Sequence, residues 1–193
     1  EDNEAEIKNI TISPKLSTST KLSKPKAASK KTTNTKKENL VDELAEFGPD
    51  QVSTGNQSII ITEVMPAPLK LANSKEKPQE WIEIYNQTDQ TIDLTNWIID
   101  DSNGGSKPHR LSQQLIAPHQ YILLNASDTK LNLNNSADQV RLFDADKNLI
   151  DAVEYQEAEK NSSYSLITID GNSEWNWQKT PTPGQANISY ISL

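Results

Sequence analysis

The chain has 193 residues, of which 34% are hydrophobic and 24% are charged, and its net charge is -8 at pH 7. It contains no cysteine, which excludes disulfides, thiolate catalysis and cysteine zinc sites. The acidic balance argues against a strongly basic nucleic-acid binder, and no apolar run is long enough to span a bilayer.

Residues 1–57 are predicted to form a disordered arm or linker. From Lys8 to Lys37 the sequence has nine lysines and no acid, interspersed with Ser, Thr, Pro and Ala. Such a segment buries too little apolar surface to offset a backbone ordering cost of roughly 1–2 kcal/mol per residue. The chain begins at Glu1 rather than Met and carries no recognisable signal peptide, so we expect a fragment or a processed chain.

The lysines of this arm have two interpretations. The favoured one is a solvated tether that holds the rest of the protein away from a neighbouring structure. The alternative is contact with a polyanion by counterion release, although aromatic residues for base stacking are absent from the stretch. The residues that would make this contact are Lys24, Lys26, Lys30, Lys31, Lys36 and Lys37.

One short helix is predicted within the arm, at residues 39–47. Leu40, Leu44 and Phe47 recur at i, i+4 and i+7, and a Gly-Pro pair follows them. Because so short a helix is marginal alone, it persists only if its apolar face packs against something. It is therefore either a transient helix in a linker or a docking motif.

From Ser58 onward the chain alternates short apolar runs with turn signals. The predicted strands are 58–65, 80–85, 97–100, 109–111, 121–124, 139–143, 148–155, 164–168 and 174–177. They are rich in β-branched and aromatic residues, and no helical period of ten or more residues separates them. The pattern predicts an all-β antiparallel sandwich or barrel, with residues 144–147 as a hairpin turn. On the second strand, Ile82 and Ile84 share one face and Trp81, Glu83 and Tyr85 the other, and the inward face stays open.

The order of motifs over residues 58–188 resembles the lamin tail domain (LTD) family, an immunoglobulin-like β-sandwich. The matching pieces are ITEV (61–64), EWIEIYN (80–86), DLTNWIID (93–100), IAPHQYILL (116–124), DQVRLFD (138–144), LIDAVEY (149–155) and TPGQAN (182–187). Residues 1–57 contain no heptad rod of the kind that precedes the domain in nuclear lamins, so the chain is more similar to the bacterial form. Residues 189–193 are left as a C-terminal tail.

The resemblance implies an accessory, binding or structural module in a secreted or cell-surface protein. It implies an extracytoplasmic location, and it supplies no catalytic residues, so we expect no enzyme activity and no cofactor. A protein or a cell-envelope polymer is the expected partner.

Two oxygen-rich loops are candidate cation sites. Asp144, Asp146 and Asn148 alternate like the start of a calcium loop, but the required Gly and Glu are replaced by Leu149 and Tyr155, so a polar hairpin turn is favoured. The second loop, residues 100–105, begins with the candidate ligands Asp100 and Asp101, and a polar turn is again the favoured interpretation.

Two more groups of side chains are candidates for function. Trp175 and Trp177 alternate on one strand, so their rings share a face that forms either a ligand platform or the end of the core. Glu63, Glu83 and Asp151 lie mid-strand, where hydrogen bonding to loop backbone or exposure to solvent is favoured over catalysis.

We therefore expect a non-enzymatic LTD-like binding or structural module on a lysine-rich arm. Two alternatives from other classes stay open. One is an accessory nucleic-acid-binding module that uses the arm. The other is a metal-dependent hydrolase that uses Asp100, Asp101 and Glu83.

Overall fold

A computed structural model describes residues 57–70, 75, 77–102 and 104–188. The predicted helix at 39–47, the lysine-rich stretch and the tail at 189–193 lie outside this part of the chain. The described strands are β1 (Ile59–Met65), β2 (Trp81–Asn86), β3 (Ile92–Asp93), β4 (Ile98–Asp100), β5 (His109–Arg110), β6 (Leu115–Ile116), β7 (Tyr121–Asn125), β8 (Ala137–Phe143), β9 (Leu149–Gln156), β10 (Ser163–Ile169) and β11 (Asn172–Gln178). One four-residue helix, α1 (Ala126–Thr129), follows β7.

The strands form two main antiparallel sheets. The first has five strands in the order β11-β10-β1-β2-β7, and the second has four in the order β5-β4-β8-β9. A small two-stranded sheet pairs β3 with β6. The predicted antiparallel sandwich is confirmed, and so is the hairpin, since β8 pairs with β9 along its whole length.

The core lies between the two main sheets. Its buried side chains come from both: Ile61, Ile82 and Ile84 from the five-stranded sheet, and Val140 and Val153 from the four-stranded sheet. The inward face of β2 is therefore the isoleucine face, because only that face can exclude water against the opposing sheet. Trp81, Glu83 and Tyr85 consequently belong to the outer face.

Most predicted strands were placed to within two residues of their observed ends. No prediction covered β3 and β6, which have two residues each, or helix α1, which has four. Elements this short have no periodicity that a sequence pattern can show. Within the described ranges, no helix is long and apolar enough to cross a membrane.

Candidate functional site

A β-bulge in β1 places two consecutive polar side chains on the outer face of the five-stranded sheet. The pairing with β2 runs from Ile61 opposite Ile84 directly to Glu63 opposite Glu83, so Thr62 is the extra residue. A bulge of this kind bends the strand and re-aims its side chains. Here the Thr62 hydroxyl donates to Glu83 Oε1 at 2.8 Å, which fixes one carboxylate beside the other.

A C-terminal segment, residues 182–187, crosses this face and covers the two carboxylates; we call it the strap. The backbone N–H of Thr182 donates to Glu63 Oε1 at 3.1 Å, and that of Gly184 donates to Glu83 Oε2 at 2.6 Å. The side-chain amide of Asn187 donates to the carbonyl oxygen of Thr62 at 2.8 Å. Both glutamates are completely shielded from solvent. They act as acceptors that hold the strap on the sheet.

Burial raises the pKa of Glu83 to about 7, from an ordinary value of 4.5. The hydrogen bonds from Gly184 and Thr62 oppose this shift, and the charge of Glu63 adds to it. Glu63 also accepts hydrogen bonds from the hydroxyls of Ser163 and Ser165 on β10. The pair is thus a hydrogen-bonded structural site in which Glu83 titrates near neutral pH.

Beside the strap, the outer face carries an open cleft of about 360 Å³. Where the structure describes its walls, they carry no charged side chain: they comprise Ile60, Thr62, Tyr85, Gln87, Tyr121, Leu166, Thr168, Ser173, Ala186 and Asn187. Tyr85 and Tyr121 face each other across the β2–β7 pairing, with ring centroids 4.5 Å apart and planes inclined by 31°. The cleft therefore combines an aromatic wall with hydroxyl and amide groups.

The hydroxyl of Tyr85 is held by a short hydrogen-bonded chain. It lies 3.2 Å from His119 Nδ1, and His119 Nε2 lies 2.8 Å from Asp89 Oδ1. Since the carboxylate can only accept from Nε2–H, Nδ1 of the neutral imidazole accepts from the tyrosine. The Tyr85 oxygen can then still accept a hydrogen bond, and the His119–Asp89 pair is exposed to solvent at the rim.

The predicted aromatic pair on β11 packs mainly within the protein. Trp175 stacks on Tyr164 at 5.3 Å and 22°, and Trp177 meets the buried Tyr155 edge-on at 5.8 Å and 81°. All of these rings join the hydrophobic core or pack against it, and the two tryptophans are half-buried. This placement corresponds to the alternative in which they close the end of the core, and a ligand role for them stays a prediction.

The three residues of the hydrolase hypothesis are not brought together. Glu83 is covered by the strap on the five-stranded sheet, whereas Asp100 belongs to β4 in the other sheet and is ion-paired with Arg141 at 2.6 Å. Asp101 accepts the backbone N–H of Ser106 at 2.8 Å. Burial raises the pKa of Asp100 to about 6, against the opposing effect of Arg141.

The other predicted oxygen ligands form hydrogen bonds within their own turn. Asp144 accepts the backbone N–H groups of Asp146 and Asn148, both at 2.9 Å, and the side-chain amide of Asn148 at 2.8 Å. Across the described part of the chain, no group of three or more acidic or histidine side chains is arranged to hold a metal ion. Asp151 accepts the backbone N–H of Ile61 at 2.7 Å and so links β9 to β1.

The tyrosine cleft was not predicted from the sequence. Tyr85 and Tyr121 each lie on a predicted strand, but their pairing depends on the register of β2 with β7. In the sequence, the strap is recognisable only as the closing motif of the resemblance. Its position over Glu63 and Glu83 joins residues about a hundred positions apart.

Comparison with known proteins agrees with this architecture. The model of the Lamin Tail Domain family matches residues 52–157, which is more than half of the chain. No curated protein matches the sequence. Lamin tail domains are non-catalytic immunoglobulin-like modules with structural or binding roles. The chain has both the family's sequence pattern and its two-sheet sandwich, and it belongs to the Lamin Tail Domain family.

Proposed function

We propose that this chain is a non-catalytic binding module of a bacterial protein that is secreted or displayed on the cell surface. Its ligand is an uncharged polysaccharide of the cell envelope, and its binding site is the cleft between Tyr85, Tyr121 and the strap. The observation that carries the proposal is that none of the described residues of the cleft wall is charged, in a protein with a net charge of -8.

The composition of the wall favours a sugar. Small-molecule sites typically combine aromatic or apolar surface with a few polar groups that set orientation, in volumes of about 300–1,000 Å³. A pyranose ring presents apolar C–H faces, which stack on aromatic rings, and hydroxyl edges, which bind amides and hydroxyls. Tyr85 and Tyr121 supply the first kind of contact, and Gln87, Thr168 and Ser173 supply the second.

Charge argues against the other polymer classes at this cleft. A nucleic acid or an anionic wall polymer needs cations to offset its phosphates or carboxylates, and the described residues of the cleft wall include none. Asp89 at the rim would repel a polyanion further. Contact of the lysine-rich arm with nucleic acid is a separate hypothesis, on residues outside the described part of the chain.

The structural contacts of the buried acidic side chains support the absence of catalysis. Glu63 and Glu83 hold the strap, Asp100 is ion-paired, and Asp151 ties β9 to β1. A general acid or base must reach the substrate's proton at hydrogen-bonding distance. None of these four carboxylates is part of the cleft wall.

Titration of the full chain with defined oligosaccharides, followed by amide NMR, tests the ligand class. Chitohexaose and cellohexaose are the neutral probes, and a heparin hexasaccharide is the charged comparator. We expect a neutral probe to shift the amides of Tyr85, Gln87 and Tyr121. Tyr121→Ala should weaken binding about tenfold, because it removes a stacking contact worth roughly 1 kcal/mol together with its buried area.

The matched control is Leu115→Ala, which alters an exposed side chain outside the cleft and should leave affinity unchanged. Tighter binding of the heparin probe, or neutral binding that shifts the Trp175 and Trp177 amides instead, would refute the ligand assignment. Location is tested separately by protease treatment of intact source cells. Survival of the protein there, with loss after lysis, would contradict surface display unless the chain is recovered from the medium.

A further inference from the structure

One edge of the five-stranded sheet is a long, regular strand. Strand β11 comes first in the order β11-β10-β1-β2-β7, so within the described part of the chain only one of its two sides is paired. It pairs with β10 along its whole length, from Asn172 opposite Ile169 to Gln178 opposite Ser163, and the register does not shift. The other side of such a strand presents backbone N–H and C=O groups that can pair with a further strand.

The turn between β10 and β11 determines which pairs of residues are hydrogen-bonded. Asp170 and Gly171 form a two-residue turn, and both have a positive φ, +49° and +80°. This is the backbone conformation of a type I′ hairpin. The residues that flank a turn of this type, here Ile169 and Asn172, exchange both backbone hydrogen bonds.

Bonded and non-bonded pairs then alternate along the ladder, so the outward backbone groups can be identified. They belong to Ser173, Trp175 and Trp177, which lie in the non-bonded pairs with β10. The hydroxyls of Ser173 and Thr168 are 2.7 Å apart, which agrees with this assignment because side chains are closer in non-bonded pairs. Each of the three outward residues can therefore offer one donor and one acceptor to a partner strand.

The other sheet edges are short or partly covered. Strand β5 has two residues, and helix α1 follows β7 directly. On β9, the carbonyl oxygen of Ile150 accepts from Gln57, and the carboxylate of Asp151 accepts the N–H of Ile61 on β1. Natural proteins protect long edges with lysine, proline or a bulge. Strand β11 contains none of the three, so it is the edge best suited to pairing.

The sequence of β11 favours a second copy of itself as the partner. In an antiparallel pairing about a two-fold axis at Trp175, all residues of 172–178 overlap. Trp175 then lies opposite its own copy, Ser173 opposite Trp177, and Glu174 opposite Asn176. The one charge on the strand thus faces an amide. An axis at Glu174 would instead place two carboxylates directly opposite each other, which is unfavourable.

We propose that two copies of this chain associate by antiparallel pairing of their β11 strands. The outward N–H and C=O of Trp175 bond to the same groups of its copy, and those of Ser173 bond to the partner subunit's Trp177. The two five-stranded sheets become one continuous sheet. The half-buried tryptophans gain cross-strand contacts across the axis. Because the interface is isologous, it closes with two subunits and leaves neither β11 edge free.

Amide hydrogen exchange of the full chain at micromolar and at millimolar concentration tests the pairing. The amides of Ser173, Trp175 and Trp177 should exchange about tenfold more slowly once about nine-tenths of the chains are paired. Those of Glu174 and Asn176 already bond to β10 and serve as internal controls that change less. Sedimentation velocity on the same samples gives the mass. Outward amides that are protected in a monomer would overturn the proposal, because another segment of the same molecule would then cover the edge. Rapid exchange at both concentrations would overturn it as well.

Two substitutions at one position separate the backbone bond from the side chain. Ser173→Pro and Ser173→Val both remove the hydroxyl, but only proline also removes the outward N–H. An edge strand tolerates proline where the N–H faces solvent, so both variants should fold. We expect Ser173→Pro to weaken dimerisation tenfold or more, because it removes one backbone bond on each side of the axis. Ser173→Val should change it less than about threefold. Equal dissociation constants for the two variants would refute backbone pairing at this edge.

Discussion

The substitution Glu83→Gln tests whether burial beneath the strap disfavours the ionised form of Glu83. In the protonated carboxyl, the O–H can donate to the Thr62 hydroxyl while the second oxygen accepts from the Gly184 N–H. A glutamine reproduces both bonds, with its amide N–H toward Thr62 and its oxygen toward Gly184. The variant therefore removes the ionisation and keeps the geometry.

The magnitude follows from the raised pKa of Glu83. The unfolded chain ionises this group near its ordinary value of 4.5, whereas the folded protein holds its pKa at about 7. Below pH 4.5 both states are protonated and there is no penalty. As the pH rises from 4.5 through 7, the folded state keeps a proton that the unfolded state has lost, so folding becomes less favourable. At 1.36 kcal/mol per pKa unit the shift corresponds to about 3 kcal/mol, and relaxation of the site around the charge reduces the expected loss to about 2 kcal/mol.

Urea unfolding followed by tryptophan fluorescence measures this difference. Near pH 4.5 the two proteins should have similar free energies of unfolding, and near pH 8.5 Glu83→Gln should be more stable by about 2 kcal/mol. The pKa values of Asp100 and Asp151, both raised by burial to about 6, affect each protein equally and cancel in the difference. A variant that is less stable by the same amount at both pH values would show that lost hydrogen bonds, rather than buried charge, decide the effect.

Three further substitutions probe the strap, the buried ion pair and the aromatic edge. Gly184 has φ +78, so Gly184→Ala should lower stability by about 1 kcal/mol in thermal unfolding; an unchanged midpoint would contradict a strained strap. Arg141→Met should cost roughly 3–5 kcal/mol and raise the pKa of Asp100 further, since it leaves a buried carboxylate without its ion pair; an NMR titration in which that pKa falls would refute this. Trp177→Ala should cost about 2–3 kcal/mol by removing the edge contact with Tyr155 while preserving oligosaccharide affinity; loss of affinity in a folded variant would place the ligand at β11 instead.

The fold was readable from the sequence because its strands carry a two-residue period. On β2, the alternation of Ile82 and Ile84 with polar and aromatic neighbours defines two faces. Which face points inward could not be decided there, since Trp81 and Tyr85 offered an equally large apolar surface. Packing against the opposing sheet determines that the face with both isoleucines points into the core. The local pattern therefore separates the two faces of a strand, and tertiary packing determines which of them points into the core.

The site was only partly readable for a related reason. Glu63 and Glu83 stood out as charges in the middle of apolar strands, and the expectation of hydrogen bonds to loop backbone agrees with their contacts with Thr182 and Gly184. Their adjacency, however, depends on the bulge at Thr62, for which the sequence carries no Gly or Pro signal. Long-range contacts of this kind require the register of two sheet pairings and the path of a loop, and neither can be derived from one strand at a time.

The strap also forms one wall of the cleft, through Ala186 and Asn187, so ligand binding should depend on the charge of Glu83. Release of the strap would admit water to the carboxylates, which favours their ionised form. By linkage, protonation favours the docked strap and the formed cleft. We therefore expect the neutral oligosaccharide to bind more tightly near pH 6 than near pH 8.5, by about threefold to fivefold if a third to a half of the roughly 2 kcal/mol acts on the strap. Glu83→Gln should bind equally well at both pH values, because it cannot ionise. If the variant kept the pH dependence of the unmodified chain, the dependence would come from other groups, and the charge of Glu83 would not couple the strap to the cleft.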